Sequence, residues 1–445
     1  MTQSFLTEPA RDIPVTHRPD VLVVGGGAAG IAAACAAARA GCSVLLTERF
    51  GFLGGTLTAV TLGGMCGGYG NGSDGLFELV GGIYARICER LFRLNGALPV
   101  RRSARVHALP YDPNLMKLVT EELCREHGVE LLYHTSAVAV HSTEDRITAV
   151  VLENRGGRSA VIPGMVIDCS GDGDIAAFAG AEFELGHDGH TQFSSSMFRA
   201  SNVDTAAFSR LTREDMRAIL EKVSAAEGEL PRTAVALYPG PVAGMVHFNA
   251  TKLARPDGTP FNLTDPAELT EAEQEGRRQA YRYLDVARRH LPGFEKAQIA
   301  DIGPMVGIRE TRRITGDYIL TEEDVLNCVK PADTIACSAW PVEMHAPGRG
   351  TIWRHLPDGD YYGIPYRSLT VKGFANLLVS GRNLSATQTA QASARVSATC
   401  FAMGEAAGMA AAMALGTGGN SRAVSVPALI ADLTDAGAVL HPIVT

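Results

Sequence analysis

The chain has 445 residues, 46% of them hydrophobic and 20% charged, with a formal net charge of −8. That length exceeds one ordinary domain and predicts two connected ones. The acidic balance, with no long basic run, argues against a general nucleic-acid binder. The nine cysteines include no C-x-x-C pair, so no metal site is expected, only buried thiols in a reducing compartment.

Residues 1–18 are mixed and polar, read as a leader, and lack the apolar core of a secretory signal. The apolar run from Ala406 to Leu415 is too short to cross a bilayer. A cytoplasmic protein without a membrane partner is expected. Asp20 to Val24 predicts a strand, Gly25 to Gly30 a turn, and Ile31 to Ala40 a helix closed by Gly41. Ser43 to Thr47 predicts a second strand, ending at Glu48. Residues 51–75 are rich in glycine yet too apolar for a linker, which predicts an ordered loop beside a ligand. Residues 113–127 predict a helix. Val129 to Val140, Ile147 to Glu153 and Ala160 to Cys169 predict strands, and Ile175 to Ala181 a short helix. From about residue 187 the character changes, with charged amphipathic helices over 204–227 and 267–290. The buried-strand pattern returns at Asn376 to Ser380, and a small-residue helix from about Ala394 to Leu415 follows.

Gly25-x-Gly27-x-x-Gly30, between strand and helix, carries the chemistry. Gly25 permits the tight turn, Gly27 lets the backbone approach a pyrophosphate, and Gly30 lets helix and strand pack closely. The helix N-terminus offers free N–H groups to phosphate. Glu48 is placed to accept from ribose hydroxyls and to disfavour a 2′-phosphate. The loop Gly54-Gly55-Thr56, continuing to Cys66, favours FAD over NAD, because it can follow the pyrophosphate and ribitol toward a flavin.

The chain resembles the bacterial FAD-dependent oxidoreductases distantly related to the fumarate reductase and succinate dehydrogenase flavoproteins. The resemblance rests on GGGAAGIAAACAAARAG and VLLTE, on GFLGGTLT, and on DCSGDGDIAAFAGAEFELG. It continues in GPMVGIRETRRITGDYILTEEDVL, YYGIPYRSL and LLVSGRNLSATQTAQASARVSATCFAMGEAAGMAAA, so it spans about residues 20 to 415. It implies an α/β fold with a glutathione-reductase-like, Rossmann-type FAD-binding domain (19–186 and 366–445) and an inserted α+β substrate or cap domain (187–365). It implies FAD contacts from Gly25, Gly27, Ala28, Ala29, Gly30, Glu48, Arg49, Gly54, Gly55, Thr56 and Leu57. Val138 would bracket the adenine through its backbone, and Ser170, Gly171 and Asp172 would pass the AMP half. Gly381, Arg382 and Asn383, with Ser393, Arg395 and Val396, would close on the ribitol and the flavin pyrimidine edge. A helix starting near residue 396 would stabilise negative charge there. The histidyl flavin link of the classical fumarate reductases has no counterpart in Gly51–Gly70, where Cys66 stands instead. Cys66 is either a flavin-proximal thiol, possible as a covalent attachment point, or a small residue packed under the loop.

Three catalytic candidates remain. Arg309, in a cluster with Glu310, Arg312 and Arg313, either faces the flavin or an anionic substrate, or belongs to an ion-pair network. His345 is the strongest of the histidines His247, His345 and His355 as a general base. Tyr362, with Tyr361 and Tyr366, lines the pocket or packs the junction. The expected activity is hydride transfer between a small organic substrate and flavin N5. The alternative is a flavoprotein subunit or a non-redox enzyme with structural FAD. A homo-oligomer is left open.

Overall fold

The structure, a computed structural model, describes residues 6–444 apart from 7–8, 74, 104, 229 and 346–349. Five parallel strands form the central sheet, in the order Leu377–Val379, Met165–Asp168, Val21–Val24, Val44–Thr47, Glu130–Leu132. Both ends of the sequence thus build one sheet. The first four of these strands are buried throughout, which is why they read as unbroken apolar runs rather than as alternation. Their side chains still alternate in space. Val21, Val23, Val44 and Leu46 face a helical layer. Leu22, Val24 and Leu45 face an antiparallel meander of Ser136–Thr143, Arg146–Asn154 and Gly157–Val161. Val15–His17, from the expected leader, joins the meander edge in parallel with Ala160 and Val161.

The helical layer is led by Ala28–Arg39 and Ser397–Leu415. These two approach backbone to backbone. A Cβ on Gly404 would lie 2.1 Å from the Ala29 carbonyl oxygen, and one on Gly408 2.1 Å from that of Ala33. Among the described residues Ser397–Leu415 is the one helix long and apolar enough to cross a membrane, but most of it is buried inside the fold. A helix apolar all round is what such burial requires.

A second sheet is antiparallel, in the order Ala236–Pro239, Val246–Asn249, Phe198–Ser201, Gln298–Ile302. The helices Arg213–Glu227 and Pro266–His290 belong to the same unit. Thr212 and Asp215 form a capping box at the first helix, and Asp265 caps the second ahead of Pro266. This unit has its own core, centred on Phe198, Phe248 and Phe294, with Leu220 and Leu284. Leu320, Val325, Cys337, Tyr362 and Ile364 instead pack in the large core that includes Val21, Val23, Val44 and Leu46. A smaller core of Leu253, Phe261, Leu263, Ala272, Val306 and Ile308 lies beside the Phe198 core in the same stretch of chain.

Four expected elements differ in detail: the strand expected from Ala160 to Cys169 divides into Gly157–Val161 and Met165–Asp168, the helix expected over 204–227 divides into Thr205–Phe208 and Arg213–Glu227, and two more differ as follows. The strand expected from Val129 to Val140 divides into Glu130–Leu132 and Ser136–Thr143, turned by His134 at φ 51°. The helix expected from Ala394 begins at Ser397, after a shorter helix Gln388–Ala394, because Val396 is extended at ψ 153°.

Candidate active site

Strand Val21–Val24 runs into the glycine turn. Gly25 has φ 100°, and a Cβ there would lie 2.5 Å from the Cys169 carbonyl oxygen. A Cβ on Gly30 would lie 1.8 Å from the Gly25 carbonyl oxygen, so glycine lets the helix start directly on the strand. Gly27 is different. Its backbone is extended, and a Cβ would meet only the Gly55 Cα, at 3.9 Å. Space in front of this helix N-terminus is thus open, and the helix carries free N–H groups and a partial positive charge. The second glycine loop lies along the first, with Gly54 N–H donating to the Gly26 carbonyl at 2.8 Å. Glu48 is buried and accepts from the Gly26 N–H at 2.7 Å and the Phe50 N–H at 2.9 Å. It therefore fixes the turn as well as facing the space beside it.

From this cradle one cavity of about 470 Å³ runs to the second sheet. Its first end is walled by Gly25, Gly27, Ala28, Ala29, Glu48 and Arg49, with Gly55 and Thr56. Ser170, Gly171, Gly381 and Arg382 flank it. Its middle is walled by Cys66, Arg395 and Val396. Arg309 lies on the wall beyond them, near Leu237, Tyr238, Asn249, Trp340 and Glu343.

Other expected residues stand behind the wall. Gly30 and Gly54 shape the cradle without facing it. Leu57 is fully buried, and its carbonyl accepts from the Tyr111 hydroxyl at 2.6 Å. Val138 sits where the meander register shifts, and Ala137 takes the place on the wall. Asp172 accepts from Arg382 at 2.8 Å and Thr311 at 2.9 Å, so it orients Arg382 from behind. Asn383 donates to the Asp168 carbonyl at 3.1 Å. Of the two roles open to Tyr362, packing is the one it has: its hydroxyl is buried against Ser393 at 2.7 Å, and both side chains belong to the core. Ser393 in turn donates to the Trp340 carbonyl. Tyr366 is likewise buried, donating to the Ser421 carbonyl at 2.8 Å.

His345 also misses the wall. Both of its ring nitrogens are occupied, by Glu343 at 3.1 Å and by the Thr351 hydroxyl at 3.1 Å. Burial and the nearby Arg309 hold its pKa down to about 3, against the pull of Glu343. It is a neutral ring that positions Glu343, and Glu343 is the group that faces the cavity. Burial alone would raise the Glu343 carboxyl, but His345, Arg395 and Arg309 bring it down to about 2, so it is ionised. Sequence reasoning missed Glu343. The available signal was the i, i+2 spacing of Glu343 and His345 at a short strand, Val342–Met344.

The arginine cluster divides. Arg313 pairs with Glu310 and Glu184, and Arg312 with Asp174 at 2.9 Å. Among the described residues Arg309 makes no such pair: it donates from Nη1 to the Phe193 carbonyl at 2.7 Å and the Ser195 hydroxyl at 2.8 Å. Burial, then Arg395 and Arg232, push its pKa down to about 9. Arg395 leaves its buried Nε without a partner, on the wall where the helix Ser397–Leu415 begins. Cys66 is fixed opposite, its N–H donating to the Ser397 hydroxyl at 3.0 Å. Burial, with Glu343, pushes its thiol up to about 12.

His247 is buried in the second sheet, stacked on Tyr238, with Nδ1 3.5 Å from the Thr61 carbonyl. His355 stacks on Trp353.

A helix N-terminus that opens on a glycine cradle at the end of a parallel sheet, facing a long cavity, is the geometry of a dinucleotide-binding protein. The open space at Gly27 and the unpartnered Arg395 Nε fit two parts of FAD, its central pyrophosphate and a flavin edge that accepts hydrogen bonds. The chain belongs to the FAD-dependent oxidoreductase family, whose pattern it matches over residues 20–433. Among solved structures it is similar to a geranylgeranyl bacteriochlorophyll reductase-like protein from Thermoplasma acidophilum. That match has 13% identity over 94% of this chain and 83% of the other, with a TM-score of 0.44. It is also similar to a p-nitrophenol 4-monooxygenase from Pseudomonas putida, at 12% identity over 94% and 84%, with a TM-score of 0.43. The protein is an FAD-dependent oxidoreductase, and these distant likenesses say nothing of its substrate.

Proposed function

We propose that FAD lies extended in the cavity, with its pyrophosphate at Gly27 and Gly55, its adenosine ribose at Glu48, and its flavin between Cys66 and Arg395. The observation that carries this reading is the continuity of one cavity from the glycine cradle to the start of helix Ser397–Leu415. When bound, FAD supplies hydride transfer at N5. The chain's own residues bind and orient. Arg395, with the helix N-terminus behind Val396, offers positive charge to the pyrimidine edge. The second sheet closes the far end and excludes water around a small substrate. Glu343, held by His345, is an ionised group placed to steer a proton or a cation.

Cys66 is read as a neighbour of the flavin rather than its attachment point. Attack on a flavin carbon needs a thiolate, and a thiol whose pKa is about 12 stays protonated at neutral pH. The purified protein is expected to absorb at about 450 nm, as oxidised flavins do. Acid precipitation is expected to leave the yellow colour in the supernatant. A colourless protein that takes up no FAD on reconstitution sinks the reading, and flavin retained in the pellet sinks its non-covalent part.

A further inference from the structure

The far half of the cavity carries positive charge that the fold leaves unbalanced. Its wall holds Arg101, Arg213, Arg232, Arg309 and Arg395, against one carboxylate, Glu343. Among the described residues none of these arginines is ion-paired within the fold. The three inner ones are held by neutral acceptors. Arg309 uses Phe193 and Ser195 as described. Arg232 donates to the Ala234 carbonyl at 2.5 Å and the Asn249 side chain at 3.4 Å. Arg395 reaches Gln192 at 3.5 Å, with Nε unpartnered. The lone carboxylate is already engaged, by His345 at 3.1 Å and by the Trp340 indole N–H at 3.3 Å. Burial lowers the pKa values of Arg232, Arg309 and Arg395 against the pull of Glu343, and repulsion adds to it, from Arg395 and Arg232 at Arg309, from Arg213 at Arg232 and from Arg382 at Arg395.

Buried charges are normally paired, because an unpaired one loses its hydration without compensation. Adjacent unpaired guanidiniums on the wall of a cavity are costly for folding alone, and an anion in that cavity would offset the cost. The remaining walls, Met197, Leu237, Tyr238 and Trp340, suit a carbon skeleton. The exposed Arg101 and Arg213 also border a second cavity of about 440 Å³ lined by Leu98, Phe208, Leu211 and Met216. Positive charge thus continues from the inner chamber to an outer approach, where it would draw anions in.

We propose that the substrate is an organic carboxylate, clamped by Arg232 and Arg309 in the chamber beyond Cys66. This rests on the FAD reading, which leaves that chamber to the substrate. Planar guanidinium forks grip a carboxylate bidentately and with defined direction, so one clamp orients the carbon skeleton toward the flavin.

The test is direct binding to the FAD-loaded protein without turnover, by calorimetry and by perturbation of the flavin spectrum under anaerobic conditions. The probes are succinate, malate, glutamate and benzoate, each beside its amide, with sulfonate and phosphonate analogues as a separate arm. At least one acid is expected to bind, with its amide at least about 30-fold weaker, as loss of a buried charged contact implies. Arg309→Gln and Arg232→Gln are each expected to weaken the acid by a similar factor while FAD content stays at wild-type level. Equal affinity for acid and amide overturns the proposal, as do wild-type acid affinity in both variants, no binding by any acid, and binding confined to sulfonates or phosphonates. The acid–amide comparison uses the wild-type protein, so it decides even where a variant misfolds. The flavin spectrum before any probe is added reports separately on the FAD reading.

Discussion

At the residue scale, two glycines of one motif are expected to fail in opposite ways. Gly27 has extended backbone and room for a Cβ, so Gly27→Val is expected to fold. Its side chain would fill the space that the pyrophosphate needs. Circular dichroism and thermal melting are expected to stay near wild type while the absorbance at about 450 nm is lost. Full FAD retention by a folded Gly27→Val protein would falsify the cradle. Gly30→Ala instead drives a Cβ to 1.8 Å from the Gly25 carbonyl. Backbone cannot yield as a side-chain tip can, and a loss of at least about 1–3 kcal/mol is expected in denaturant titration. The motif's spacing makes the cradle legible, because phosphate recognition is local in sequence. The chamber is not local. Arg232, Glu343 and Arg395 meet only through tertiary folding, and no period in the sequence announces the meeting. Arg309 stood out among its neighbours as a charge, but only geometry separates it from Arg312 and Arg313, which carry the ion pairs.

At the element scale, burial and capping made most pieces readable, and breaks in regular structure made the rest hard. Helix Pro113–Glu126 opens with Asp112 as N-cap and Pro113 after it, a signal visible in the residues themselves. Helix Gly82–Arg93 carries Ile83, Ile87 and Leu91 at i, i+4 spacing, but it opens on glycines that look like loop. The run from Gln388 to Leu415 is continuous in composition, yet it is two helices. The break at Arg395 and Val396 follows from tertiary demand: it places a helix N-terminus and a charged side chain on the cavity wall. The second helix then owes its position to Gly404 and Gly408. Gly404→Val is expected to push it off Ala28–Arg39, because the added atoms meet backbone at 2.1 Å. Since Ala28–Arg39 carries the cradle and Ser397–Leu415 the flavin end, this one change is expected to lower both the melting temperature and FAD content. A surface control such as Arg217→Ala, whose pairing with Glu221 is exposed, is expected to alter neither. Wild-type stability and FAD content in Gly404→Val would refute the close helix contact.

At the scale of the whole molecule, the second sheet and the glycine-rich loop of the first core meet at a seam that acid is expected to loosen. His247, on a strand of the second sheet, reaches the Thr61 carbonyl of the glycine-rich loop, and Tyr238 beside it donates to the Leu62 carbonyl. Burial and then Arg199 hold the His247 pKa down to about 4, against the Thr61 carbonyl, Asp301 and Asp112. The unfolded chain binds this proton below its ordinary value of about 6.5, while the native state does so only near 4. The unfolded state therefore holds the extra proton between those values, and stability falls as pH drops through that window. The full effect of this one ring is about 3 kcal/mol. His345, held down to about 3, acts in the same direction. Asp168 acts against them: burial raises its carboxyl to about 6, so its strain is relieved as pH falls through that value. A difference measurement isolates His247. Urea titrations of wild type and His247→Leu from pH 7 to pH 4 are expected to show a shallower dependence in the variant, by close to one proton. Parallel curves would mean that His247 takes up its proton in the folded protein near its ordinary pKa, and that the seam is wet rather than closed.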